Sequence, residues 1–166
     1  MDKLKIAVCG ASGKMGRELI GCIRDDDALA LVGALEVPGN SCLGKDAGGL
    51  LGFDSGVVIS SDIDAVTSSA DVLIDFTRPE GTIDHMSVCM SNNTAMVIGT
   101  TGFTSAQKES ISTASATIPL VMAPNMSLGV NVLLRLLKIA STALGDEYDV
   151  EIVEAHHKHK VDAPSG

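Results

Sequence analysis

Six short apolar runs, separated by segments of helical spacing, constrain this chain more than any other feature. The runs are Lys5–Cys9, Leu29–Glu36, Val57–Ser61, Asp71–Phe76, Ala95–Gly99 and Ile118–Ala123. Between the first two, Met15, Leu19, Ile20 and Ile23 recur at helical spacing over Lys14–Arg24. Asp62–Ser69 reads as a short helix, and Pro79 and Glu80 open a longer one that runs to about Asn92. Thr104 and Gln107 have the spacing of a capping box in front of another helix. The runs are apolar throughout instead of alternating, as strands covered on both faces must be. Regular strand and helix alternation of this kind predicts an α/β protein with a doubly wound parallel sheet. Such sheets bind ligands at the carboxyl ends of their strands. The loops Thr77–Pro79, Gly99–Gly102 and Pro124–Ser127 are therefore the places to look for a site.

After Ser127 the pattern changes. Leu128–Leu144 is a long amphipathic helix with Val132, Leu133, Leu136, Leu137 and Ala140 on its apolar side. Ser127 suits its N-cap and Gly145 its C-terminal stop. Tyr148–Ala155 reads as a strand. The chain thus divides into residues 1–126 and the start of a second, mixed α/β domain over 127–166. One helix and one strand cannot bury both of their faces. The second domain is expected to be incomplete in this chain, or completed by another.

Composition narrows the function. Aromatics are 2% with no Trp, so the core is aliphatic and the composition argues against stacking platforms for nucleic-acid bases. The formal charge of -9 leaves no basic stripe outside the C-terminal cluster, which also argues against nucleic acid. Cys9, Cys22, Cys42 and Cys89 form no CxxC pair, so zinc-ribbon and thioredoxin-type motifs are not supported. Cys9 and Cys22 are expected to be buried free thiols, which fits a reducing cytoplasm. No signal peptide is read at the N-terminus, and no apolar stretch is read as long enough to span a membrane.

Gly10-Ala11-Ser12-Gly13-Lys14-Met15-Gly16 lies between the first strand and the first helix, a variant of GxGxxG. Gly13 lets the backbone approach a pyrophosphate, and Gly16 lets the helix pack on the strand. The phosphates would rest on the helix N-terminus, where free N–H groups and the helix dipole favour negative charge. Glu36 ends the second strand twenty residues after Gly16. A Rossmann-type dinucleotide fold places an acid there on the adenosine ribose hydroxyls. Val37 follows where NADP sites offer Arg, so NADH is the expected cofactor over NADPH.

Glu154–Gly166 contains His156, His157, Lys158, His159 and Lys160, then Asp-Ala-Pro-Ser-Gly. Lysine supplies fixed positive charge, and histidine releases a proton near neutral pH. The Pro–Gly loop adds a hydroxyl and backbone N–H groups. Along a strand, His157 and His159 share one face and His156 and Lys158 the other. Adjacent histidines splay apart in that geometry, so no metal site is expected. His85 falls in a helical run and reads as a surface or packing residue.

Together these motifs resemble the dihydrodipicolinate reductase family of the diaminopimelate–lysine pathway. The resemblance is carried by Gly10–Gly16, Asp75–Gly81, Val97–Phe103, Asn125–Asn131 and, most specifically, Glu154–Gly166. It implies a Rossmann domain joined to a mixed α/β substrate domain, in a homotetramer built through the substrate domains. It also implies reduction of a cyclic dicarboxylic acid, 4-hydroxy-tetrahydrodipicolinate, by NADH or NADPH. Gly10, Ala11, Ser12, Gly13, Lys14, Met15, Glu36, Gly99, Thr100, Thr101, Ala123, Pro124, Asn125 and Met126 would line the cofactor. His156 would donate the proton with Lys160 as catalytic partner, while His157, Ser165 and Gly166 would hold substrate carboxylates. Two departures stand out. The Arg common after the acid is Val37, and the family pattern continues past Gly166 with a substrate-contacting Thr and roughly a hundred more residues, about a small domain. Two rival readings are a dinucleotide-binding fragment without turnover and a non-catalytic redox sensor.

Overall fold

A computed structural model describes residues 2–153, 155 and 158. Its chain contacts divide after Met122 into two units, Met1–Met122 and Ala123–Gly166.

The first unit is a six-stranded sheet in the order β3-β2-β1-β4-β5-β6. The strands are β1 (Leu4–Cys9), β2 (Leu29–Leu35), β3 (Ile59–Ser60), β4 (Val72–Asp75), β5 (Ala95–Ile98) and β6 (Leu120–Met122). Every pairing is parallel. The helices are α1 (Lys14–Asp25), α2 (Ile63–Thr67), α3 (Pro79–Asn92) and α4 (Ser105–Ala114). Parallel neighbours need a crossover between them, which α1 supplies for β1 and β2, α3 for β4 and β5, and α4 for β5 and β6.

The side chains of β1 divide between two cores. Ile6 and Val8 join Ile20 and Ile23 of α1 on one face, while Ala7 and Cys9 join Val66, Met86, Cys89 and Ile111 on the other. Covering both faces removes the need for polar alternation, which is why the strands read as continuous apolar runs. The expected capping box is formed at α4: Thr104 Oγ1 accepts from Gln107 N–H at 3.3 Å and Gln107 Oε1 accepts from Thr104 N–H at 2.9 Å. Between β2 and β3, a long loop is organised by Asp46, whose carboxylate accepts from the N–H groups of Gly48 and Ser55 and from Ser55 Oγ.

One thiol departs from expectation. Cys9 and Cys89 are buried, but Cys22 is exposed. Helix α1 turns Gly16, Ile20 and Ile23 inward, and a residue two positions from Ile20 points away from that stripe.

The second unit contains α5 (Leu128–Leu144), with Ser127 Oγ accepting from Val130 N–H at 3.4 Å and Gly145 as its C-cap at φ 67°. None of its residues is buried. The expected strand Tyr148–Ala155 is not formed among the described residues: Tyr148–Val153 has no regular secondary structure. A strand exists through its ladder, and no described segment pairs with this one. The membrane expectation is also corrected. Leu128–Glu147 is long and apolar enough to cross a membrane by length and composition. Asn131, Arg135 and Lys138 interrupt its apolar run, and so hide that length from a count of uninterrupted residues.

Candidate functional site

Strand order reverses at β1, whose neighbours β2 and β4 lead away on opposite sides. A crevice at the carboxyl ends of the strands is built into this topology. A cleft of about 870 Å³ opens there, lined by the turn after β1, the end of β2 and the start of α3.

The glycine-rich turn forms one wall. Gly10 has φ +66°, a conformation that L side chains rarely adopt. A Cβ on Gly16 would stand 2.1 Å from Gly10 O, so only glycine lets α1 approach β1 this closely. Gly13, Lys14 and Met15 are exposed along the cleft, whereas Ala11 is buried behind it. Helix α1 has no side-chain cap, and the N–H groups of Lys14, Met15 and Gly16 find no acceptor among the described residues. Unpaired N–H groups at a helix start make a site for an anion.

Glu36, only 9% exposed, stands at the end of β2. Its Oε1 accepts from Ser12 N–H at 2.8 Å and from Ser12 Oγ at 2.6 Å. Its Oε2 accepts from Asn40 Nδ2 at 3.0 Å and from Val37 N–H at 3.2 Å. The acid is thus tied to the glycine-rich turn. Val37 beside it is 67% exposed and brings no charge.

Of the opposite wall, only the loop residues Thr77 and Arg78 are expected from the sequence. Phe76, Thr77, Arg78, Gly81 and His85 line it. Behind them Asp75 is fully buried. Its Oδ1 accepts from Thr77 N–H at 2.8 Å and Thr77 Oγ1 at 2.6 Å, and His85 Nδ1 lies 2.7 Å from Oδ2. Burial alone would raise the Asp75 carboxyl, but the hydrogen bonds from His85 and Thr77 outweigh it and hold the pKa below the usual carboxylate value. Burial, and then the Asp75 charge, pushes the neighbouring Cys9 thiol well up, so it stays protonated. The reading of His85 as a surface or packing residue is corrected: it is a cleft residue held by a buried carboxylate.

The remaining expected residues divide. Gly99 is glycine because a Cβ would fall 2.0 Å from the Phe76 ring. Thr100 is buried, its hydroxyl bonded to Thr82 Oγ1 at 3.0 Å and 3.4 Å from Asp75 Oδ1, while Thr101 is half-buried. Ala123, Pro124, Asn125 and Met126 belong to the second unit. There Asn125 Oδ1 accepts from Ser127 N–H at 2.9 Å and Asn125 O from Asn131 Nδ2 at 3.0 Å, fixing the start of α5. His156, His157, Lys160, Ser165 and Gly166 lie outside the described residues.

Comparison with known proteins bears on this geometry. Residues 4–126 match the family model for the N-terminus of dihydrodipicolinate reductase, and residues 129–166 match the model for its C-terminus. The chain is 55% identical over 163 residues to 4-hydroxy-tetrahydrodipicolinate reductase of Cupriavidus metallidurans, covering 98% of this chain and 62% of that one. It is 53% identical over 166 residues to the same enzyme of Nitrosomonas europaea, covering 100% and 62%. A dipicolinate-bound dihydrodipicolinate reductase from Paenisporosarcina sp. TG-14 superposes with a TM-score of 0.75 at 29% identity, over 99% of this chain and 62% of that one. The chain therefore spans about 62% of the length of the curated relatives it matches. With both family models matched in order along a doubly wound sheet of this topology, the chain belongs to the dihydrodipicolinate reductase family.

Proposed function

We propose that the chain carries the cofactor-binding part and the proton-donating segment of a nicotinamide-dependent reductase that converts 4-hydroxy-tetrahydrodipicolinate to tetrahydrodipicolinate. The observation that carries this reading is the pairing of Glu36 with Ser12 at 2.8 Å across a turn that only Gly16 can close. It sets a fixed acid beside a helix start with unpaired N–H groups, which is what the two ends of an adenosine diphosphate require. Gly10, Gly13, Lys14 and Met15 would hold the pyrophosphate, with Arg78 as a further cation in the cleft. Glu36 would hold the adenosine ribose. The cofactor, when bound, supplies hydride. NADH is favoured over NADPH because a 2′-phosphate at Glu36 would meet a carboxylate with the uncharged Val37 next to it.

His156 gives the proton, for which an imidazole with a pKa near the working pH is suited. Lys160 and His157 neutralise substrate carboxylates, and Ser165 and Gly166 offer hydrogen bonds to the same groups. Orientation of this kind supplies several kcal/mol of the barrier reduction, on the order of 7–11 in the best intramolecular cases. Assembly into a homotetramer in the cytoplasm belongs to the same proposal, on the strength of the family relationship.

Two titrations and an assay test it. The chain is titrated with NADH and NADPH, and turnover is then measured for it and for a form extended with the relatives' remaining residues. Binding of NADH more tightly than NADPH, with turnover in the extended form that His156→Ala abolishes, is the expected result. Turnover only in the extended form would make this chain a binding fragment. Failure of the chain to bind either nucleotide overturns the reading.

A further inference from the structure

Glu36 has no acceptor position to spare. A carboxylate offers about four lone-pair sites, two on each oxygen. Those of Oε1 take Ser12 N–H at 2.8 Å and the Ser12 hydroxyl at 2.6 Å. Those of Oε2 take Asn40 Nδ2–H at 3.0 Å and Val37 N–H at 3.2 Å. A ribose hydroxyl that comes to Glu36 as a donor must therefore displace one of the four. The two bonds on Oε1 are the shorter ones. Ser12 N–H also sits in a turn pinned on either side, by Ala11 N–H on Leu35 O at 3.1 Å and by Gly13 N–H on Gly10 O at 2.9 Å. Val37 N–H is main chain directly after the acid. Asn40 is the one side chain on Oε2 among the described residues. It is half-buried, follows the exposed Val37, Pro38 and Gly39, and divides its amide between Oε2 and Ser12 Oγ, the latter at 3.3 Å. Water can take over both of those bonds when the amide turns away.

We propose that Asn40 is a specificity-determining competitor built into the cleft: its amide occupies Glu36 Oε2, and a ribose hydroxyl reaches that atom only by turning the amide out. The net strength of one hydrogen bond is then subtracted from the affinity of any nucleotide that carries the hydroxyls. Nothing is subtracted for a nucleotide that lacks them, so Asn40 sets how strongly the cleft selects for a ribose. Removing the amide leaves Glu36 held by three of its four bonds, and the acid keeps its orientation. This rests on the dinucleotide reading of the cleft.

The test is Asn40→Ala in the whole chain, with Asn40→Ser beside it. Serine keeps a side-chain oxygen for Cys42 N–H, which Asn40 Oδ1 accepts at 2.8 Å, but has no amide to reach Glu36. Calorimetric titration with ADP and with its 2′,3′-dideoxy form, which lacks both ribose hydroxyls, reads the effect. Both variants bind ADP about two- to ten-fold more tightly than the parent chain, the span of one net hydrogen bond, and bind the dideoxy nucleotide as the parent does. Unchanged or weaker binding of ADP overturns the proposal, the weaker case by making Asn40 a support of Glu36. An equal gain for both nucleotides overturns it too, since it would mark a loosened loop. If the parent chain binds neither ADP nor NADH, the cleft reading fails and takes this one with it. If the parent binds them and the variants gain nothing, this proposal alone falls. Should neither variant fold, side-chain amide NMR of the unaltered chain decides. The Asn40 Nδ2 signal moves on adding ADP and stays in place on adding the dideoxy form; a signal that responds to neither, or to both alike, refutes the assignment.

Discussion

Replacing Gly16 by Ala adds one methyl group to a tightly packed joint of the first unit. Its Cβ would stand 2.1 Å from Gly10 O and 2.8 Å from Ala11 Cα, both backbone atoms that no rotamer change can move. Restoring an ordinary contact requires α1 to retreat by about 1 Å at this point. Ile20 and Ile23, buried on the same helix, then lose contact with Ile6, Val8 and Ile59. Overpacking of this kind costs about 1–3 kcal/mol. With a urea m-value of about 2 kcal/mol/M, a loss of about 2 kcal/mol lowers the unfolding midpoint by about 1 M. Gly21 provides the control on the same helix. A Cβ there meets nothing within 4 Å, so Gly21→Ala relieves the helix of glycine's entropy and stabilises by about 0.5–1 kcal/mol. The two variants should move the midpoint in opposite directions. If Gly16→Ala unfolds at or above the urea concentration of the parent chain, the tight joint is not a property of the molecule, and the account of the phosphate cradle built on it fails with it.

Thiol chemistry and acid sensitivity extend the test to other parts of the unit. An aromatic disulfide reagent should modify Cys22 fastest, the half-buried Cys42 more slowly, and Cys9 and Cys89 only after unfolding. Burial pushes the Cys89 thiol up to about 12, which removes its thiolate at neutral pH, and Cys22→Ser should erase the fast phase; a fast phase that persists contradicts the placement of α1. Asp46 is held at about 2, chiefly by the Ser55 N–H, and Asp75 also lies below its ordinary value of 3.8. A depressed folded pKa gives stability that is present above the unfolded value and lost as pH falls through the folded one. The urea midpoint should therefore change little on their account at pH 5 and above and drop below about pH 4. Asp46→Asn should flatten the part of that drop between about pH 4 and pH 2, and an unchanged acid limb would show that the loop hub contributes nothing.

The sheet was legible because its signals are local. Continuous apolar runs report double burial at each strand without reference to any partner, and the Gly10–Gly16 turn reports both its left-handed start and its tight joint through residue type alone. Glu36 was legible as an acid at a strand end. That Ser12 would hold it was not, since twenty-four residues separate the two and nothing in either segment names the other. His85 carries a sequence signal of its own. Thr82, His85, Met86 and Cys89 follow the 0, 3, 4, 7 spacing of a buried helix stripe, in which a histidine needs a polar partner. The acid that ends β4, Asp75, was the candidate at hand.

Tyr148–Val153 shows the opposite error. Tyr148, Val150 and Ile152 alternate with Asp149 and Glu151, a sound strand periodicity. All three apolar residues are 59% exposed or more, and the segment pairs with no described strand. Periodicity states which face a strand would bury, whereas a ladder also needs a second backbone at hydrogen-bonding distance. For β1 that second backbone is supplied twice, by β2 and β4, and the reading of the pattern coincides with the fold. For His85 and for Tyr148–Val153 alike, the local pattern says what the segment offers, and a distant partner decides what it becomes. Asp75 is present and holds the helix histidine in the cleft wall, while the strand-like segment, with no ladder among the described residues, keeps its periodicity without its structure.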